Sequence, residues 1–248
     1  MRKLSRRRLI GAGLGISGLA ATAKLGAHYG LVPPDAHGLY GPGETLTYAT
    51  QRLLARHSPA REFARSQISR EPFANPTGPL GDAFGVLEAG GFKDWRLTVD
   101  GMVAHPGSFT VADLRHMPAR SEITAVQCEE GWNYIAEWIG VALAHVLEEA
   151  GTLRQARYVV YRSFEQGWWD SIDMADALHP QTIVTHGMNG GDLPVRFGGP
   201  IRLRVPRQLG YKSVKYIVRL TLTDDLKKFG KGLGSAAPEG GYAWYAGI

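Results

Sequence analysis

The side chains able to do chemistry in this chain of 248 residues are few, and the first is its only cysteine. Cys128 stands in Thr124-Ala-Val-Gln-Cys128-Glu-Glu-Gly-Trp132-Asn-Tyr-Ile-Ala-Glu-Trp138-Ile-Gly140. The run Ile123 to Gln127 reads as extended, and two acids, a glycine and two tryptophans follow the cysteine. That order predicts a strand ending in a loop beneath aromatic walls. By residue type a free cysteine is a small apolar filler. A deprotonated cysteine is also the soft metal ligand a protein has to offer. One thiol makes no internal disulfide, no c-type haem attachment and no all-cysteine iron–sulfur cluster. Electrons for a redox step at this site must therefore come from, or go to, another protein.

The second concentration of chemistry is basic. Gly199-Pro-Ile-Arg202-Leu-Arg-Val-Pro206 and Leu209-Gly-Tyr-Lys212-Ser213-Val214-Lys215 bring cations and a hydroxyl close to a glycine turn at Gly210. Arginine grips a phosphate with a planar fork, lysine acts as a point charge, and turn amides close around the oxygens. Taken alone, the same residues describe a solvated surface. Other catalytic patterns are missing: there is no Gly-x-Ser-x-Gly, His-Glu-x-x-His or Walker glycine loop, and the eight histidines form no pair at tight ligand spacing.

Cys-Glu-Glu-Gly-Trp, then Trp-Ile-Gly-Val, then a segment ending Glu-Ala-Gly151 resembles the cofactor-binding domain of the sulfite-oxidase-like molybdenum enzymes. The likeness covers about Arg61 to Asp224. It includes Val99-Asp-Gly-Met-Val-Ala-His-Pro106, Asp113-Leu-Arg-His-Met-Pro118, Ser171-Ile-Asp-Met-Ala-Asp-Ala-Leu-His-Pro180 and Met188-Asn-Gly-Gly-Asp-Leu-Pro194, in the family's order. The resemblance implies a mixed α+β, strand-rich domain with short helices that holds molybdenum–molybdopterin across loops at one side. It implies Cys128 as the metal ligand and catalytic residue. It further implies Asn75, Ser163, Arg202, Lys212, Ser213, Val214 and Lys215 as cofactor contacts. Where relatives place another asparagine contact, this chain has Phe197.

The elements that must position these groups can be read in outline. Residues 1–23 resemble an export leader: Ser5-Arg6-Arg7-Arg8-Leu9-Ile10 is a twin-arginine pattern, and the Gly- and Ala-rich run from Leu9 ends at Ala21-Thr-Ala23, a small-x-small cleavage form. The run is short and glycine-rich for a membrane span. Five of the 28 basic residues precede Ala23, which leaves 23 against 23 acids in the remainder, so the basic footprint of a nucleic-acid binder is not there. Residues 24–79 read as an arm over the surface, broken at Pro33-Pro34, Gly41-Pro42-Gly43, Asn75-Pro76 and Gly78-Pro79, with one helix over Leu46–Arg56 ended by Pro59.

Residues 80–248 read as the cofactor domain. Trp95 to Val99 alternates as a half-buried strand, and Asp100-Gly101 is a hairpin signal. Thr110 is a suitable N-cap for a helix to His116, and Gly140 to Gly151 has helical spacing that puts Val141, Ala144, His145 and Glu148 on one side. Tyr158–Arg162 and Tyr216–Thr223 read as strands, the second β-branched enough to be central. Phe229 to Ile248 reads as a tail packed by its aromatics. Trp132, Trp168 and Trp169 are candidate walls of the pocket.

The expected function is that of an exported, periplasmic molybdenum–molybdopterin oxidoreductase catalysing oxygen-atom transfer. Glu129 and Glu130 beside the cysteine disfavour a dianion such as sulfite, so the expected reaction is reduction of a neutral S-oxide, including oxidised methionine. A membrane haem or quinone-linked protein is the expected electron partner. Sulfite oxidase is the alternative direction, and a cofactor-free binding module of the same fold is the alternative from another class.

Overall fold

The structure is a computed structural model that describes residue 26 and residues 29–248. The leader expected over residues 1–23 lies outside the described residues. Ten strands in two sheets, with six short helices, make up the described part, in agreement with the mixed α+β class expected from the sequence.

The first sheet runs β2-β1-β10-β5-β6. It is formed by β1 (Arg96–Gly101), β2 (Gly107–Thr110), β5 (Tyr158–Ser163), β6 (Trp169–Asp173) and β10 (Ile217–Thr223). Strand β10 is central, as its β-branched composition predicts, and lies parallel to β1 and antiparallel to β5. Asp100-Gly101 differs from its reading as a hairpin turn. Both residues pair with Thr221 and Leu222 of β10. A Cβ on Gly101, whose φ is +84°, would fall 2.2 Å from the Leu222 carbonyl oxygen, so the glycine permits close strand contact rather than a tight turn. Asp100 meanwhile accepts from Arg219 and Thr221.

The second sheet joins β3 (Ala119–Gln127), β4 (Asn133–Ala142), β7 (Ile183–Met188) and β8 (Gly191–Asp192), with β9 (Arg202–Arg204) also pairing β7. Strands β3 and β4 pair continuously from Ala119↔Val141 to Gln127↔Asn133. The loop closing this hairpin is 128–132, so the register itself fixes the cysteine at a sheet end. Strands β7 and β8 are joined by the two-residue turn Asn189-Gly190.

The helix expected over Gly140–Gly151 begins only at Leu143 (α4, Leu143–Glu149), because Gly140, Val141 and Ala142 complete β4 against β7. Cross-strand pairing outweighs helical spacing there. Helix α3 (Val111–His116) starts as predicted, with the Thr110 hydroxyl accepting from the Asp113 amide and the Asp113 carboxylate accepting from the Thr110 amide. Helices α2 (Gly81–Ala89), α5 (Met174–Ala177) and α6 (Ala236–Glu239) follow the first helix, α1 (Gly41–Leu54), and complete the set.

Helix α1 is Gly41–Leu54, five residues earlier at its start than predicted, because Pro42 sits in the first turn, where its missing N–H costs nothing. Its inward residues are polar. Arg52 donates through Nε to Asp173 at 2.8 Å and through Nη2 to Asp176 at 2.6 Å, while Tyr48 donates to Asp173 at 2.7 Å. Arg207 binds the other Asp176 oxygen at 3.1 Å. Glu44 accepts from the Tyr245 amide and Asp35 from the Trp244 amide, tying the C-terminal tail to the same helix. Trp244 and Tyr245 are buried there with Tyr48, whereas Tyr242 is exposed. The largest apolar cluster lies under the first sheet, and a smaller one of Val126, Tyr134, Ala136, Trp138 and Phe197 backs the cysteine hairpin.

Candidate active site

A cavity of about 210 Å³ opens where the ends of β3, β9 and the 209–215 loop meet, and Cys128, Asn75, Arg202, Ser213, Val214 and Lys215 all line it. A larger hollow of about 570 Å³ lies between Phe92, Arg115 and Pro200 and holds no thiol. Chemistry rather than size therefore selects the smaller cavity.

Cys128 is held by a tight loop in which its amide donates to the Trp132 carbonyl and its carbonyl accepts from Gly131, both at 3.0 Å. Its thiol is half-buried and donates to Glu129 Oε2 at 3.3 Å. Burial pushes the thiol up to about 11, helped by the Glu129 and Glu130 carboxylates and opposed by the Glu130 amide. At neutral pH the thiol keeps its proton, and a bound metal would have to displace it. Among the described residues no group of three or more His, Cys, Asp or Glu forms a metal cage. Cys128 suits a metal that arrives with its other ligands.

The basic wall is built from β9 outward. Arg202 is buried, donates to the carbonyls of Phe197 (2.9 Å) and Ser213, and lies with its guanidinium 5.4 Å from the Trp138 ring. Its Nε has no partner among the described residues, and burial lowers its proton affinity. Lys215 donates only to carbonyls, those of Asn75 at 2.6 Å and Arg196 at 2.9 Å, and burial pushes it down to about 8, with Arg202 adding to the effect. Arg202 is a buried cation with no carboxylate bonded to it, and Lys215 beside it is half-buried with only Glu165 to favour its charge, so an anion in the cavity would relieve a costly arrangement. Gly198, at φ +105°, lets Lys215 lie across it, since a Cβ there would sit 2.9 Å from the lysine side chain. Ser213 lines the cavity, and its Oγ accepts from Arg204 at 3.1 Å and from the Val205 amide at 3.0 Å, which fixes the loop carrying Lys215.

Two expected contacts lie elsewhere. Lys212 is fully buried with Nζ 2.6 Å from Asp170 and 3.0 Å from the Ser171 carbonyl, facing away from the cavity. Its ammonium neutralises a buried acid and does not reach the cavity wall. Ser163 is not on the cavity wall; its hydroxyl donates to the Lys215 carbonyl at 2.9 Å and accepts from the Glu165 amide at 3.0 Å. It braces a cationic wall and the loop carrying Glu165 and Trp168, both of which line the cavity. Trp132 and Trp168 form walls as expected, but Trp169 points to the opposite side of its chain and packs with Phe229 in the tail cluster. Phe197 is buried against Tyr134, and its carbonyl holds Arg202.

Arg204 escaped the sequence reading. It is buried, donates to Ser213 Oγ, to Thr124 Oγ1 at 3.2 Å and to the Ala125 carbonyl at 3.1 Å, and stacks 4.7 Å from the Trp138 ring. Period two in Arg202-Leu-Arg204 puts both arginines on one face of a strand, which is the signal that would have found it. His145 lies beside Glu149 at 4.0 Å, on a helix surface.

A thiol, a desolvated cationic wall and a hydroxyl around one cavity define a site for an anionic metal-bearing group, and the residues present fit molybdopterin. Residues 86–229 match the family described as "Oxidoreductase molybdopterin binding domain", and the chain belongs to that family. A relative is "Putative protein-methionine-sulfoxide reductase subunit YedZ1" of Azospira oryzae, 37% identical over 153 residues, which are 62% of this chain and 56% of that protein. Among solved structures, the sulfane dehydrogenase SoxCD from Paracoccus pantotrophus shares the fold with a TM-score of 0.53 at 21% identity, covering 68% of this chain and 46% of that one. The chain thus spans about half the length of the proteins it matches. The fold is of the sulfite-oxidase type.

Proposed function

We propose that this chain is the catalytic subunit of an exported molybdopterin oxidoreductase that reduces a neutral S-oxide of the methionine sulfoxide type. The balance is R₂S=O plus two protons and two electrons giving R₂S and water, with the electrons drawn from a membrane haem or quinone-linked partner. The observation that carries this reading is the sign of charge around the thiol. The carboxylates of Glu129 and Glu130 lie 3.3 and 3.8 Å from Cys128 Sγ. The arginines that could have held sulfite are engaged elsewhere: Arg162 over Trp169, Arg196 over Phe197 and Arg207 with Asp176. A dianion would meet carboxylates at the metal end, whereas a neutral sulfoxide would meet the aromatic faces of Trp132 and Trp168.

Bound molybdopterin supplies two-electron oxygen-atom-transfer chemistry. The chain's own residues do the rest. Cys128 would give up its proton as the metal's protein ligand, Arg202, Lys215 and Ser213 would hold the phosphate end, and the Asn75 carbonyl orients Lys215 at the cavity edge. The aromatic walls keep water from the reacting sulfur. The buried Arg202, which has no carboxylate bonded to it, speaks against a cofactor-free binding module. The name of the Azospira relative agrees with this reading for that protein. Export to the periplasm rests on Arg6, Arg7 and the run to Ala23, with residues 24–79 as the arm and 80–248 as the cofactor domain.

The test is turnover by purified holoenzyme. Methionine sulfoxide should be reduced with an artificial electron donor, and sulfite should be oxidised poorly with an artificial acceptor. Rapid sulfite oxidation without sulfoxide turnover would reverse the direction and assign Arg202 or Lys215 to sulfite.

A further inference from the structure

Helix α1 is amphipathic the wrong way round. Gly41, Glu44, Tyr48 and Arg52 are its buried residues, and at 100° per residue they share one side. The opposite side presents Leu46, Thr47, Thr50, Leu53 and Leu54 and carries no charge. Leu46 and Leu53 are each 67% exposed, Leu54 is 81% exposed, and Leu39 just before the helix is 82% exposed. A surface helix ordinarily buries its apolar stripe and shows its charges. This one cannot roll to do so, because its charged side is held by the buried bonds from Arg52 to Asp173 and Asp176. The leucines are therefore kept outward as a fixed apolar patch, of a kind that marks an interaction surface.

We propose that α1 lies on a lipid bilayer, with Leu39, Leu46, Leu53 and Leu54 entering the boundary between headgroups and acyl chains. Several observations favour a bilayer over a partner's groove. The face makes little polar demand, since the Thr47 hydroxyl is satisfied by its own helix at the Gly43 carbonyl, 3.0 Å away. Tyr40, at the N-terminal edge, is exposed, and a tyrosine ring with its polar tip suits the headgroup level. From Leu39 to the end of α1 the only acid is Glu44, which is buried, and the exposed Arg56 lies just beyond the C-terminal end. The exposed formal charge at this end of the leucine face is thus that of Arg56, complementary to anionic headgroups.

The test is flotation of the full-length holoenzyme with vesicles of phosphatidylethanolamine and phosphatidylglycerol. Leu14→Glu with Leu19→Glu is placed in every sample so that the leader run does not mediate binding. Protein with native α1 should float with the vesicles, and more weakly as salt is raised. Adding Leu46→Glu with Leu53→Glu should lower the bound fraction about tenfold or more while molybdenum content stays unchanged, which shows that the chain still folds. Equal flotation of both proteins would overturn the proposal. So would no flotation of the protein with native α1, and the leucine face would then belong to a protein partner. Flotation is independent of turnover, so failure of the sulfoxide reading leaves this test intact.

Discussion

Replacing Arg202 by Met separates a cofactor anchor from a structural arginine, because the two roles predict opposite signs in the cofactor-free chain. The guanidinium is buried and donates to the carbonyls of Phe197 and Ser213, with the Tyr134 side chain a further hydrogen-bonding neighbour. Removing it leaves two buried acceptors, at about 1–3 kcal/mol each. It also removes a buried cation with no counter-ion, whose desolvation penalty is several kcal/mol. The two effects offset, so the melting temperature of cofactor-free Arg202→Met should stay level or rise. Cofactor retention should move the other way. One charge-assisted bond to phosphate contributes about 1.5–3 kcal/mol, which is roughly 10- to 150-fold in affinity. Arg202→Lys, with a point charge in place of the fork, should fall between. The assay is molybdenum per chain by mass spectrometry at limiting cofactor, beside thermal unfolding of cofactor-free protein. Full loading of Arg202→Met together with a lowered melting temperature would refute the reasoning and make Arg202 a fold residue.

Lys212→Ala should instead cost about 3–5 kcal/mol in urea unfolding, because it leaves the buried Asp170 carboxylate unpaired. An effect confined to cofactor content would contradict its placement. Glu122 is pushed up to about 7 by burial, against the pull of Arg204 and Arg120. A carboxyl whose folded pKa is raised favours the folded state most below its ordinary value of 4.5, and that contribution is lost as pH rises toward 7. The melting temperature should therefore fall across this window, and Glu122→Gln should flatten the fall; an unchanged slope would count against the burial argument. Arg6→Lys with Arg7→Lys should leave folded precursor in the cytoplasm, as read by fractionation, and normal export of the double variant would overturn the leader reading.

What the sequence made legible was local or motif-borne. The strand into Cys128, the Thr110 cap and the central β10 follow from alternation, capping chemistry and β-branching. Cys128, Arg202, Ser213 and Lys215, which line one cavity, stand in short motifs that single them out. What stayed hidden is set by distant partners. Lys212 turns inward to meet Asp170, 42 residues away, and no local pattern says which side of a turn a lysine takes. Asp100-Gly101 has hairpin composition, yet its neighbour is β10, more than a hundred residues on. The inside-out packing of α1 depends on Asp173 and Asp176, each more than 120 residues from Arg52. Its helical spacing was visible, but its orientation was not.

The central claim is that Cys128 supplies the protein's thiolate to molybdenum, and X-ray absorption at the molybdenum edge tests it most directly. Wild-type holoenzyme and Cys128→Ser should both retain pterin through the Arg202 and Lys215 wall. The variant should show one sulfur fewer around the metal and no turnover, since a hydroxyl is a hard and scarcely ionised substitute. An identical sulfur shell in the two proteins, with wild-type turnover in the variant, would contradict the account and return Cys128 to a half-buried filler.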